Sequence, residues 1–313
     1  MENKIVTRER SWLVGRNCPI CGCGNWTAEV STEPPANGAE WTDLQENWLG
    51  FFKTKLILTY SRCQKCKLLF AHQYFTPSAL SNLYASMPDN SAGISIGLLE
   101  RTQKGYYSML RRYYDMSGDY CELGPDIGLF TGFVAAAKHS GVFWLFEPNS
   151  NVHVALRSTL GGRSVNIETN MSDFSVIADN SIGACVMIHV LDHLFDPRDM
   201  ITKLRTKLSQ GGLLLIVTHD ERSLMARLLR FRWPAYCLQH AQLFNRATTR
   251  ALLESCGLRV VESRKAWSHF PATYLLKHFF FAIGLTKLAS HIRGTSFSVP
   301  LKLGNIITLA RRG

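Results

Sequence analysis

After residue 221 the sequence nearly runs out of acid. Its last 92 residues hold 15 lysines and arginines but only two acidic side chains, Glu254 and Glu262, whereas the first 221 hold 20 basic and 22 acidic ones. The net charge of +11 over 313 residues therefore belongs to one end of the chain. An evenly basic polyanion binder is not what this pattern describes. Long apolar runs are also missing. The most apolar stretch, residues 274–289, is broken by Lys277, His278 and Lys287, short of the ~20 residues a spanning helix needs. The first twelve residues mix both signs without an apolar core, so no secretory signal is expected and the protein is expected to be soluble and cytoplasmic. What remains is globular in composition, 46% hydrophobic and 19% charged, and long enough for about two domains.

Four of the nine cysteines form two Cys-x-x-Cys pairs, Cys18-Pro-Ile-Cys21 and Cys63-Gln-Lys-Cys66. Each pair can present two thiolates to one tetrahedral zinc, and four sulfurs close such a site, which makes a structural metal the expectation rather than a catalytic one. Free thiols or redox chemistry are the alternatives, and Cys23 either substitutes for Cys21 or lies nearby. The intervening segment, with Pro34-Pro35, Asn37-Gly38 and an aromatic-rich Trp41 to Phe52, reads as a turn followed by short packed elements, with a strand over Leu56 to Tyr60. Cys121, Cys185, Cys237 and Cys256 sit in apolar or helical contexts and read as small buried hydrophobes.

Beyond predicted helices at Pro77 to Tyr84 and Leu98 to Tyr114, short apolar runs alternate with amphipathic segments, which predicts a parallel sheet covered by helices. Seven runs qualify: Tyr120 to Leu123, Val142 to Phe146, Ser164 to Glu168, Ala184 to His189, Leu213 to Thr218, Leu258 to Ser263 and Ile306 to Ala310. The first ends in Glu122-Leu-Gly124-Pro125-Asp126-Ile-Gly128 and opens onto a helix at Leu129. A glycine-bearing turn there lets backbone approach a ligand at the C-terminal edge of the sheet. The second run ends in Glu147, placed to accept hydrogen bonds from a ribose. Both features suit NAD or S-adenosylmethionine. Where a pyrophosphate loop has its second glycine this loop has Asp126, whose carboxylate would face a dianion, so NAD is disfavoured.

These residues resemble the class I S-adenosylmethionine-dependent methyltransferases over residues 119–262. The Glu122 to Gly128 segment is similar to their acidic-x-Gly-x-Gly-x-Gly loop, with Asp126 in place of the middle glycine. Phe146-Glu147-Pro148 resembles their ribose-binding strand end, Met171-Ser-Asp173-Phe174 the segment flanking adenine, and His189-Val-Leu-Asp192-His193-Leu-Phe-Asp196-Pro197 the motif after strand four. Leu204 to Leu208 followed by Gly211-Gly212-Leu213 to Ile216 matches the next helix and strand. Cys63 to Phe70 with Thr76-Pro77 and Leu83-Tyr84 is similar to the N-terminal zinc module carried by a branch that methylates nucleotide-linked sugars and other small metabolites. Lys67 replaces a usual glycine after the second knuckle, and Gly183 a usual aspartate before strand four. The resemblance implies a doubly wound, seven-stranded Rossmann-like α/β fold. The implied organisation is a zinc module over 1–75, a helical linker over 76–116 and a methyltransferase domain over 117–313.

Methyl transfer needs near-attack positioning first and a base only for reluctant nucleophiles. Candidate groups at the C-terminal edge are His189 and His193 after strand four, His219 and Asp220 after strand five, and Tyr236 and His240 beyond. Of these, His189, His193 and His240 are the expected catalytic or substrate-contacting residues. A divalent ion at His189, Asp192 and His193 is a further alternative.

The basic end opens with residues 222–232, a short amphipathic helix with Leu224, Leu228 and Phe231 on one face and Arg227 and Arg230 able to clamp a phosphate. A second helix over 272–291, bearing Leu275, Leu276, Phe279, Phe280, Ile283 and Leu288, fits core packing, a homodimer surface or a peripheral membrane contact. Two functions compete: methylation of a small anionic acceptor such as a nucleotide-linked sugar, and methylation of RNA. The first is favoured because the zinc module is nearly neutral, no aromatic-rich RNA-binding signature accompanies the basic residues, and no Asn-Pro-Pro-Tyr-like motif follows strand four. A non-catalytic binding protein with a degenerate cofactor site is the third reading.

Overall fold

The computed structural model describes residues 12–48, 56–85, 95–137, 139–282 and 298–313, together with 285, 287, 291 and 292. The central sheet has seven strands: β1 (Asp119–Leu123), β2 (Phe143–Phe146), β3 (Val165–Glu168), β4 (Ile182–Ile188), β5 (Leu208–His219), β6 (Leu258–Lys265) and β7 (Asn305–Arg312). They lie in the order β6-β7-β5-β4-β1-β2-β3. All seven apolar runs are strands, but the sheet is mixed rather than wholly parallel. β7 runs antiparallel to both neighbours, β5 and β6, while the pairs within β5-β4-β1-β2-β3 are parallel. A strand buried on both faces reads as one apolar run whichever way it points, so orientation was not visible in the pattern.

Alternation along these strands splits the core between two faces. Cys121, Leu123, Cys185, Met187, Leu214 and Ile216 face one way, toward the helices Pro197–Lys207 and Arg246–Ser255. Tyr120, Ala184, Val186, Leu213, Leu215 and Val217 face the other, toward the helices Ile96–Leu110, Leu129–Ala136 and His153–Leu160. Gly183 is explained by geometry: a Cβ there would lie 1.8 Å from the Ser117 carbonyl oxygen, so no side chain, aspartate included, fits.

In the N-terminal module, strands Trp26–Val30, Tyr60–Cys63 and Leu69–Ala71 form an antiparallel sheet, completed at its edge by Gln242–Leu243 from the segment after β5. The expected strand over 56–60 thus falls later, at Tyr60–Cys63, because residues 56–59 have no ladder partner, and a helix spans Trp41–Asn47. Arg16 pins the join. It donates to the carbonyls of Ala71 and Phe195 (2.9 Å each) and of Ala241, and to the Gln242 side chain. Tyr60 Oη donates to the carbonyls of Cys237 and His240, and Tyr74 Oη to that of Gln239, at 2.7–2.9 Å.

The 222–232 segment forms a shorter helix than expected, Leu224–Leu229, followed by a 3₁₀ turn at Arg230–Arg232. The break falls at Arg230, whose φ of 49° is left-handed. The later helix is described over Ala272–Ala282; Ile283 and Leu288 lie outside the described residues.

Candidate active site

The strand order reverses between β1 and β4, and there the loops leaving both strands open a crevice at the C-terminal edge. From β1, the turn holds Gly124, Asp126 and Gly128 at φ of 65°, 52° and 81°. Gly124 is sterically required, since a Cβ would meet Val190 Cγ2 at 2.9 Å. Asp126 tolerates the same left-handed conformation, as short polar side chains do. Its backbone N–H donates to Glu147 Oε2 at 3.0 Å, while Asn149 N–H donates to Oε1 at 2.9 Å. The loop is thereby folded back onto the end of β2. Pro125 lies within this turn, its carbonyl accepting from Gly128 N–H at 2.9 Å. Phe174 is buried edge-on against Phe146 at 4.9 Å, whereas Asp173 is exposed and bonds the Ser175 backbone.

Glu122 behaves differently from an open ligand-facing carboxylate. Its Oε2 accepts from Tyr120 Oη (2.7 Å) and Thr131 Oγ1 (2.6 Å), tying β1 to the following helix. Burial raises its pKa to about 7, against the pull of those two hydroxyls.

From β4, His189 adopts a φ of 54° and its N–H donates to the Val217 carbonyl. The next turn brings up Asp192, which is fully buried. Its Oδ2 accepts from His219 N–H (3.1 Å) and lies 2.8 Å from His219 Nδ1, and its Oδ1 accepts from Thr218 Oγ1. Burial opposes its ionisation, but His219, His240 and Thr218 outweigh that and hold the carboxyl well below its ordinary range. An ionised Asp192 fixes the His219 tautomer with the proton on Nδ1 and the lone pair on Nε2. Burial also keeps His219 below its ordinary pKa, so the ring is neutral.

The expected catalytic histidines gather around this dyad. The His219 ring centroid lies 4.7 Å from those of both His189 and His240, and His193 is 4.6 Å from His240. Burial and neighbouring histidine charge push the His189 pKa down to about 3 and that of His193 well down. His193 Nδ1 lies 3.0 Å from Tyr84 Oη. His240 goes the other way, up to about 9: burial lowers it, but the Cys237 thiol, Asp192 and the Ala235 carbonyl, which accepts from Nδ1 at 2.6 Å, together prevail. Burial would raise Cys237, yet His240 holds its thiol below the ordinary value, so this cysteine is electrostatically joined to His240. Cys121, Cys185 and Cys256 are buried as expected. The pairing of Asp192 with His219 was not legible in the sequence. The one signal was that His219 closes β5 and Asp192 lies in the turn just after the neighbouring β4.

Cys18, Cys21, Cys63 and Cys66 bring their sulfurs within 4.8 Å of one another, with Cys18–Cys66 at 3.3 Å and Cys21–Cys63 at 3.6 Å. A tetrahedron with Zn–S bonds of about 2.3 Å has edges of about 3.8 Å, so the donor set fits zinc. Cys23 turns away and accepts from Asn25 N–H. Lys67 occupies a left-handed position, φ 63°, which is the reason a glycine would be at ease there.

The comparison with known proteins decides the assignment. A sequence profile for the methyltransferase domain matches residues 100–263, more than half of the chain. The chain belongs to this methyltransferase family. Among solved structures, a protein of Bacillus halodurans (BH2331) assigned as a methyltransferase superposes with a TM-score of 0.50 at 12% identity, covering 67% of this chain and 99% of that one. A Haloferax volcanii protein with the same assignment, solved in complex with the Trm112 methyltransferase activator, gives 0.50 at 13% identity, covering 69% and 92%. At such identities the likeness shows the fold. No curated protein matches the sequence closely enough to count as a relative. No helix among the described residues of this methyltransferase is long and apolar enough to cross a membrane.

Glu122 generates a pH prediction. Its folded pKa of about 7 lies above the ordinary 4.5, so between these values the unfolded chain binds fewer protons than the folded one. Stability therefore falls as pH rises through this window, by about 3 kcal/mol. Glu122→Gln keeps an acceptor for Tyr120 and Thr131 without a charge. Urea unfolding should show this variant more stable than wild type at pH 8, equal at pH 4.5, and with that slope removed.

Proposed function

We propose that this methyltransferase transfers the methyl group of S-adenosylmethionine to a small anionic acceptor such as a nucleotide-linked sugar or secondary metabolite. The observation that carries the reading is the Asp192–His219 dyad beside the Gly124–Gly128 loop. The loop backbone and Glu147 would hold the cofactor, with Phe174 against the adenine. The cofactor supplies an electrophilic methyl on a cationic sulfonium. His219 Nε2 would take the proton of the acceptor as that group attacks, and Asp192 would stabilise the imidazolium that forms. His189 and His193, neutral at physiological pH, would shape the pocket rather than deliver protons, and cationic His240 would favour an anionic acceptor.

The positive charge supports the same class of acceptor. A cleft of about 530 Å³ is lined by Arg222, Arg227, Arg230, Glu29, Glu221 and Tyr236. Glu29 and Glu221 are engaged by Arg62, at 2.5 and 3.0 Å, which leaves Arg227 and Arg230 as the side chains to meet a phosphate. Tyr236 packs on Trp233, and Trp233 on His219, with ring centroids 5.6 and 6.0 Å apart. The cleft therefore lies two aromatic rings from the dyad. Zinc at the four cysteines would hold the module that carries the substrate cover.

Titration calorimetry tests the cofactor site. Wild type should bind S-adenosylmethionine and Glu147→Ala should lose at least tenfold in affinity; a wild-type protein that binds none would reject the enzyme reading. Metal analysis tests the second site. One zinc per chain is expected, lost in Cys63→Ser together with several degrees of thermal stability, whereas a zinc-free protein of unchanged stability would exclude a structural metal.

A further inference from the structure

Among the described residues, seven of the thirteen exposed large apolar side chains lie between Leu224 and Leu285. Leu224, Leu228 and Phe231 are 67%, 66% and 38% exposed, and they interleave with exposed Arg222, Arg227 and Arg230. These leucines are not stray core residues. The inner side of their helix is already packed, with Ala226 buried, Met225 and Leu229 against the cluster containing Trp233 and Tyr236, and Ser223 Oγ capping Ala226 N–H at 3.1 Å. The pattern continues nearby. Trp267 is 47% exposed with Lys302 Nζ 4.6 Å above its ring, and Phe279 is exposed on the Ala272–Ala282 helix.

Register places these segments on one edge. His219 at the end of β5 pairs with Asn305, and Lys265 at the end of β6 with Ile306, both at the start of β7. The Leu224–Leu229 helix and Trp267 therefore follow from the same C-terminal edge as the dyad. Both border the edge of the sheet on which the active site lies.

A partner for this face must be anionic and apolar at once. A second copy of this chain would set a lobe of net charge +13 against its like. A nucleic acid would meet the arginines and leave the leucines in water. The surface of an anionic bilayer takes both, with apolar side chains at the acyl boundary and guanidinium groups among the phosphates. We infer that this face docks the methyltransferase on an anionic lipid surface with its active-site rim toward the lipid. The inference shares Arg227 and Arg230 with the acceptor reading above; vesicle binding reads the lipid contact and not turnover, so the two fail separately.

Sedimentation of the full-length protein with vesicles at physiological ionic strength tests it. The protein should co-sediment with phosphatidylglycerol-containing vesicles and not with pure phosphatidylcholine. Leu224→Ser/Leu228→Ser, both exposed and part of neither the dyad nor the cofactor loop, should lower the partition coefficient by about tenfold or more with unchanged circular dichroism. Three results would overturn the proposal: no binding to the anionic vesicles, binding that the double variant leaves unchanged, or a dimer in ultracentrifugation that the double variant dissociates.

Discussion

The site depends on one buried carboxylate. Asp192 is fully excluded from water, yet it stays ionised because donors from β5 surround it: the Thr218 hydroxyl, the His219 backbone N–H and the His219 ring. An isolated carboxylate would not survive such burial with its charge. The same residue offers its backbone carbonyl to Ala241 N–H at 2.9 Å. The Gln242 side chain adds bonds to the carbonyls of Leu191 and Leu194, both at 2.9 Å. One short turn thus joins the ends of β4 and β5 to the segment that covers the site.

That cover is shared with the N-terminal module. Gln242–Leu243 extends the module's sheet, Tyr60 and Tyr74 hold the carbonyls of residues 237–240, and Arg16 reaches across. Burial lowers the Arg16 pKa to about 10, still far above physiological pH, so this cation remains charged among the Phe70, Tyr74 and Phe195 rings. Metal binding at the four cysteines would thereby bear on the geometry of His240. Four histidines around one carboxylate could not all be cations. Burial and mutual repulsion leave His189, His193 and His219 neutral and concentrate the charge on His240, beside the Cys237 thiol.

Much of the fold was legible because each strand is a continuous apolar run, and the cysteine site because its ligands come as local pairs. Orientation of β7 was not, since antiparallel and parallel strands buried on both faces have the same pattern. Gly183 reads as a departure in sequence and as a necessity once the Ser117 carbonyl is placed against it. Asp192 and His219 are 27 residues apart and meet only because β4 and β5 pair in register. Attention to residue type alone favoured His189, His193 and His240, while the hydrogen bond to Asp192 that orients a ring belongs to His219. The short helix after β5 also differed, breaking at Arg230 and turning its leucines outward, which amphipathic periodicity could not distinguish from packing inward.

The central claim is that Asp192 holds the proton of His219 on Nδ1 and leaves Nε2 free to accept one. Long-range ¹⁵N–¹H correlation of the His219 ring in wild type and Asp192→Asn, near pH 7.5, reads this directly and needs no acceptor. The account predicts a neutral ring with its proton on Nδ1 in wild type and loss of that single tautomer in the variant. A wild-type ring protonated on Nε2, or a tautomer indifferent to Asp192, would contradict it.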